Sequence, residues 1–231
     1  MVPHRRILRL ASVSFALTLA LALALPATTL GQDIPSPEEY FGFRMGADRK
    51  LARWDKMVEY YHLLAESSDR LHVVDMGPST LGNPFLALYI SSPENIARLD
   101  ELKALNATLS DPRGASEEAI KNAVENGRAV VVQSFGLHSS EVAASQAAIE
   151  LTYDMVTRAD DQMMAILENT VAIMIPCFNP DGEIMITDWY NRWVGTEYEG
   201  ASMPWLYHHY IGHDNNRDAF MTNTVESEYG A

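Results

Sequence analysis

His138-Ser139-Ser140-Glu141 sets an imidazole and a carboxylate three residues apart. If the chain turns between them, both side chains lie on one side of the backbone and can converge on one metal ion. A nitrogen and carboxylate donor pair suits zinc. A capping box ending at Glu141 would need Ser or Thr at position 138, where His138 stands, so helix capping does not account for the pair. The plainer reading is a surface turn whose Glu141 complements a helix dipole. Two other pairs have ligand-like spacing. His72 and Asp75 fall in a segment that reads as a strand, where positions three apart point to opposite faces and cannot chelate. His209 and His213 are four apart, but Ile211-Gly212 interrupts a helix there and no Glu lies between them as a hydrolase base.

His213-Asp214-Asn215-Asn216-Arg217-Asp218 is a dense polar cluster in an aromatic region. A guanidinium forms two parallel hydrogen bonds to a carboxylate and a neighbouring amide can hold the same group, so Asn216-Arg217 could receive a terminal carboxylate. The competing reading is a salt bridge of Arg217 with Asp214 or Asp218. Asn179-Pro180-Asp181-Gly182 reads as a tight turn. Cys177 has no cationic neighbour in sequence and reads as a core thiol.

The elements that must position these residues follow from periodicity. Apolar residues at helical spacing from Leu51 through Trp54, Met57, Tyr61 and Leu64 predict an amphipathic helix. Leu71–Met76 and Pro84–Ile90 predict two antiparallel strands joined through Gly77-Pro78 and Leu81-Gly82-Asn83. The polar, Ala-rich stretch from Glu94 to Gly127 predicts two helices broken at Asp111-Pro112-Arg113-Gly114. Ala129-Val130-Val131-Val132 is a β-branched run without alternation, the pattern of a strand buried on both faces. A helix from about Ser139 to Thr157 follows, and Thr170–Ile175 predicts a second continuous apolar strand. Strand, helix, strand implies an α/β sandwich with a mixed sheet, and His138 then sits where a strand gives way to its helix, the usual ligand position in open α/β sheets. From Trp189 to Phe220 the chain is aromatic and turn-rich without a clear period.

The chain has 231 residues, 47% hydrophobic and 21% charged, which fits one domain or two small ones and excludes fibrous and wholly disordered classes. Its 17 Lys+Arg against 31 Asp+Glu give a net charge of −14, which disfavours nucleic acid and anionic membranes as partners. A single cysteine excludes an intrachain disulfide and paired-Cys zinc patterns, so a metal site must use His, Asp and Glu. Arg5, Arg6 and Arg9, the apolar run Leu10–Leu25, Pro26 and the small residues up to Gly31 read as a cleavable signal peptide over residues 1–31. The run is shorter than the roughly 20 residues that span a bilayer. A secreted or periplasmic domain over residues 32–231, without stable membrane association after cleavage, is the expectation.

Taken together, these residues resemble the zinc carboxypeptidase family, the carboxypeptidase A/B-like metallopeptidases. His138-Ser139-Ser140-Glu141 resembles the family's first two zinc ligands, and Asn179-Pro180-Asp181-Gly182 is similar to its turn after the following strand. Asp214-Asn215-Asn216-Arg217 resembles the segment whose Asn-Arg pair grips a peptide's C-terminal carboxylate. Thr80-Leu81-Gly82-Asn83-Pro84 is a weaker match to the family's hairpin segment. The resemblance implies a three-layer α/β/α sandwich with a mixed, mostly parallel sheet, one Zn2+ ion, and a peptide or protein C-terminus as substrate. It implies His138 and Glu141 as metal ligands, Asn216 and Arg217 as substrate-binding residues, and Arg192 as the arginine that polarises the scissile carbonyl. The family's third zinc ligand, a histidine, and its catalytic glutamate have no counterpart after Arg217, so the chain resembles the N-terminal part of such a catalytic domain. Two alternatives stand beside a metallocarboxypeptidase: a non-catalytic peptide-binding pseudoenzyme, and a related zinc deacylase or amidohydrolase.

Overall fold

Four strands form one sheet in the order β1-β2-β4-β3 in a computed structural model that describes residues 34–204, 206, 208, 211 and 215–231. The leader over residues 1–31, His209, His213 and Asp214 lie outside the described residues. Helix α1 (Pro37–Phe41) precedes α2 (Trp54–Ser67), and the hairpin follows as β1 (Leu71–Pro78) and β2 (Pro84–Ile90). Next come α3 (Pro93–Ile96), α4 (Leu99–Ser110), a 3-10 turn at Pro112–Gly114, and α5 (Glu117–Asn126), so the break falls at 111–114 as the sequence implies. Strand β3 (Ala129–Ser134) leads to α6 (Ala143–Thr157), α7 (Asp161–Asn169), β4 (Thr170–Ile175) and α8 (Pro180–Trp193). A 3-10 turn at Asn215–Asp218 and α9 (Val225–Gly230) complete the described chain. Among the described residues no helix is long and apolar enough to cross a membrane.

The sheet is mixed, with helices on both sides, in agreement with the expected fold class. The parallel share is smaller than the resemblance implies among the described strands. β1 and β2 pair antiparallel from Leu71 opposite Ile90 to Pro78 opposite Pro84, and β2 pairs antiparallel with β4. Only β3 and β4 are parallel, Ala129 opposite Thr170 through Ser134 opposite Ile175, because the α6–α7 crossover carries the chain back to the same end of the sheet. Both faces of β2 are covered, and the parity of the strand decides how. Leu86, Leu88 and Ile90 join Trp54, Met57, Tyr60, Tyr61 and Leu64 of α2 and Ala148, Ile149 and Met155 of α6 in one core. Phe85, one residue out of step, stacks edge-on with Phe178 and packs against Tyr229 of α9.

Three expectations need correction. β3 is not buried on both faces: every residue from Ala129 to Ser134 is exposed, and among the described strands β3 is an edge of the sheet. Asn179-Pro180-Asp181-Gly182 is not an isolated turn but the start of α8: the Asn179 Oδ1 accepts from the Gly182 N–H at 2.9 Å and Pro180 occupies the first helical position, where its missing N–H costs nothing. That helix also takes in Trp189–Trp193, which the sequence left without a period. Finally, α6 begins at Ala143, four residues later than expected, which leaves 138–142 as a turn. His72 and Asp75 do lie in β1, and Cys177 is fully buried, its thiol pushed up by burial as a core thiol should be.

Candidate functional site

Strand β3 runs into the site loop without a break in its hydrogen bonding. The Phe135 N–H donates to the Ile175 carbonyl at 2.9 Å, and the carbonyls that follow are each met in turn. Phe135 O accepts from Phe178 N–H at 2.7 Å, Gly136 O from Asn179 N–H at 3.2 Å, and His138 O from Glu141 N–H at 2.9 Å. Leu137 O accepts from the Asn215 side-chain amide at 2.9 Å. Gly136 has φ +62°, and a Cβ there would collide with the Ser145 hydroxyl and lie 3.2 Å from the Cys177 sulfur. Only glycine takes this conformation in this space, and the bend it allows turns His138 out of the line of β3.

The closing 138–141 turn brings the two predicted donors together: His138 Nδ1 stands 3.3 Å from Glu141 Oε1. The His138 side chain is 25% exposed and that of Glu141 69%, so the pair opens to solvent on the carboxylate side. The side chains meet across a turn rather than along the first turn of a helix. An imidazole nitrogen and a carboxylate oxygen at this separation fit one edge of a zinc coordination sphere. Among the described residues no group of three or more His, Cys, Asp and Glu side chains could hold a metal ion. Beside the turn, Ser140, Val142 and Gln146 share a cavity of about 680 Å³ with Trp189 and Tyr190 of α8.

The 3-10 turn at Asn215–Asp218 docks against this loop through Asn215, which is 7% exposed. Asn216 and Arg217 are exposed on the same turn, and Asn216 lines a smaller cavity of about 240 Å³ with Leu137, Ser134 and Phe178. Asp218 holds the far end. Its carboxylate accepts from Asn223 N–H at 3.0 Å, Asn223 Nδ2 at 3.1 Å, Thr224 N–H at 2.9 Å and Thr224 Oγ1 at 2.8 Å. Burial alone would raise this carboxyl, but the donors of Asn223 and Thr224 hold it well below the usual carboxylate range. Asp218 is thus committed to the 223–224 loop. Arg192 lies on the last turn of α8, exposed, with its guanidinium 5.9 Å from the centre of the Trp193 ring.

Two buried carboxylates, Asp181 from the motif at 179–182 and Glu226, tie the segments around the site together. Asp181, in the first turn of α8, accepts from Ser79 Oγ at 2.5 Å, Leu81 N–H at 2.8 Å and Asn83 Nδ2 at 2.7 Å, which ties the hairpin loop to the helix. Glu226 of α9 accepts from Thr80 N–H at 2.7 Å and Thr80 Oγ1 at 3.0 Å and lies 3.7 Å from His208 Nε2. Asp181 sits in a segment that reads as a turn, and its partners are about 100 residues distant, so no local signal marks that role.

The zinc carboxypeptidase family profile matches residues 57–229. No curated protein matches the chain. Among solved structures, carboxypeptidase A from Helicoverpa armigera is 18% identical, with 78% of this chain and 41% of that one covered at a TM-score of 0.45. A metallo-carboxypeptidase from Burkholderia cenocepacia is 16% identical, with 76% and 36% covered at a TM-score of 0.46. Bovine thrombin-activatable fibrinolysis inhibitor, solved with a tick carboxypeptidase inhibitor, is 11% identical, with 59% and 33% covered at a TM-score of 0.38. The chain therefore spans 41% or less of the length of these three proteins. On the profile match, which runs from α2 into α9 and takes in every residue of the His138 loop and the 215–218 turn, this chain belongs to the zinc carboxypeptidase family.

Proposed function

We propose that this chain forms the zinc-binding and carboxylate-binding face of a secreted or periplasmic metallocarboxypeptidase. His138 and Glu141 hold one zinc ion, and Asn216 and Arg217 receive the C-terminal carboxylate of a peptide or protein substrate. The observation that carries this reading is the convergence of His138 and Glu141 at 3.3 Å in a loop to which the Asn216-Arg217 turn is directly hydrogen bonded.

When bound, zinc polarises a scissile carbonyl and lowers the pKa of its water. The chain's own residues supply orientation. The Arg217 guanidinium offers a planar fork that fits a carboxylate bidentately, and the Asn216 amide adds a donor beside it. Fixing the substrate's end relative to the metal ligands turns the encounter of carbonyl and metal into an intramolecular event. Arg192 is assigned to stabilising the oxyanion that develops on the carbonyl. Hydrolysis further requires a third protein ligand and a general base, and neither role is assigned to a residue of this chain.

Calorimetry with a tetrapeptide and its C-terminal amide tests the carboxylate assignment. The free acid is expected to bind the zinc-loaded protein about tenfold or more tightly than the amide, a preference lost in Arg217→Ala. Equal binding of acid and amide by the unaltered protein would contradict it.

A further inference from the structure

We infer that Asn215 is a positioning residue that sets the carboxylate-binding turn at a fixed distance from the metal-ligand loop. The inference rests on the reading above. Among the described residues, carbonyls 135 to 138 each accept from a donor, and three of these four donors are backbone N–H groups, from Phe178, Asn179 and Glu141. Side-chain identity hardly affects those three. The fourth, at Leu137, is the Asn215 amide, reaching across 78 positions of sequence from the turn that carries Asn216 and Arg217. It is the one bond of the set that joins the two halves of the site, and it falls on the residue directly before His138.

The geometry separates position from shape. Asp218 anchors the other end of the turn through four hydrogen bonds to Asn223 and Thr224, so the turn keeps its own conformation without Asn215. What it loses is its attachment to residue 137. A peptide that places its carboxylate on Arg217 and its last carbonyl at the metal must span both halves at once. Zinc and carboxylate contacts then reinforce one another only while the spacing is held. Asn215→Asp is the sharpest probe, since it keeps size and shape but turns a donor toward the Leu137 carbonyl into a second acceptor. Asn215→Ala removes the contact without repulsion, and Asn215→Gln keeps the amide donor one methylene further out.

The experiment measures the affinity of the full chain for a free-acid tetrapeptide with and without zinc, alongside its affinity for zinc alone. In the unaltered protein zinc is expected to raise peptide affinity about tenfold, equivalent to about 1.4 kcal/mol of coupling. In Asn215→Asp and Asn215→Ala that ratio falls toward one while zinc binding alone stays within about twofold, and Asn215→Gln recovers part of it. A general loss of structure would move zinc binding as well as the ratio. A ratio unchanged in Asn215→Asp and Asn215→Ala overturns the role of Asn215 and leaves the site assignment standing. A ratio of one in the unaltered protein, with zinc bound through His138, also overturns it. Zinc binding unaffected by His138→Ala overturns the site reading, and this inference with it.

Discussion

At Gly136 a single backbone angle decides where the site loop goes. With φ at +62° and the Ser145 hydroxyl and Cys177 sulfur in the space a Cβ would fill, Gly136→Ala carries both backbone strain and a steric clash. The expected cost is about 1–3 kcal/mol in urea unfolding, together with weaker zinc binding, because His138 is two residues downstream. An unchanged unfolding midpoint would show that the loop accommodates a side chain. The same scale shows what sequence can and cannot supply. The spacing of His138 and Glu141 was legible, since a turn of three residues joins side chains whatever lies around it. Asn215 was not: it reads as one polar residue in a run of them, and only the folded chain brings its amide to Leu137.

At the level of elements, α8 carries a buried acid and is tied to the start of α2 by an ion pair. Arg53, at the N-terminus of α2, gives no side-chain cap but forms two hydrogen bonds to Asp188 of α8, at 2.8 and 3.1 Å. One turn earlier on α8, the buried Glu183 accepts from Thr187 Oγ1 at Oε1, at 2.8 Å. Burial pushes the Glu183 carboxyl up to about 7 from its ordinary 4.5, an effect that the Thr187 hydroxyl and the Trp54 amide offset only in part. An acid whose pKa is raised by folding holds its proton more tightly in the folded chain. Its contribution is therefore complete below about pH 4.5 and is lost as pH rises through about 7. Glu183→Gln should flatten the decline in thermal midpoint between about pH 5 and pH 8, and parallel declines in both proteins would remove Glu183 as its source. The helix that carries this acid was hidden in the sequence because Asn179-Pro180-Asp181-Gly182 satisfies the chemistry of a turn and of a helix start equally well. The hairpin and the 111–114 break were plain because Pro restricts the backbone and Gly frees it where the chain must turn.

For the molecule as a whole, the sheet edge is the outstanding feature. Val130, Val131 and Val132 read as a strand buried on both faces, yet Val132 is 66% exposed and β3 is unpaired on its outer side among the described residues. The sequence pattern reports the environment a strand is suited to, and local periodicity carries no information about whether a neighbour is present. An exposed β-branched edge without charge or proline is a template for strand pairing. The purified chain should therefore associate with rising concentration in sedimentation velocity, and Val132→Lys should lower the associated fraction. A monomer at all concentrations would show the edge to be inert. The fold class was legible because strand, helix, strand order constrains topology strongly. The antiparallel hairpin of β1 and β2 was legible too, but the antiparallel pairing of β2 with β4 was not, since it joins segments more than eighty residues apart.

The most direct test of the account is the zinc stoichiometry of the purified chain, measured by titration for the unaltered protein, His138→Ala and Glu141→Ala. The account predicts one zinc per chain, bound more weakly than at a three-ligand site, lost in His138→Ala and sharply weakened in Glu141→Ala. One zinc per chain retained at full affinity in His138→Ala would place the metal elsewhere and contradict the assignment.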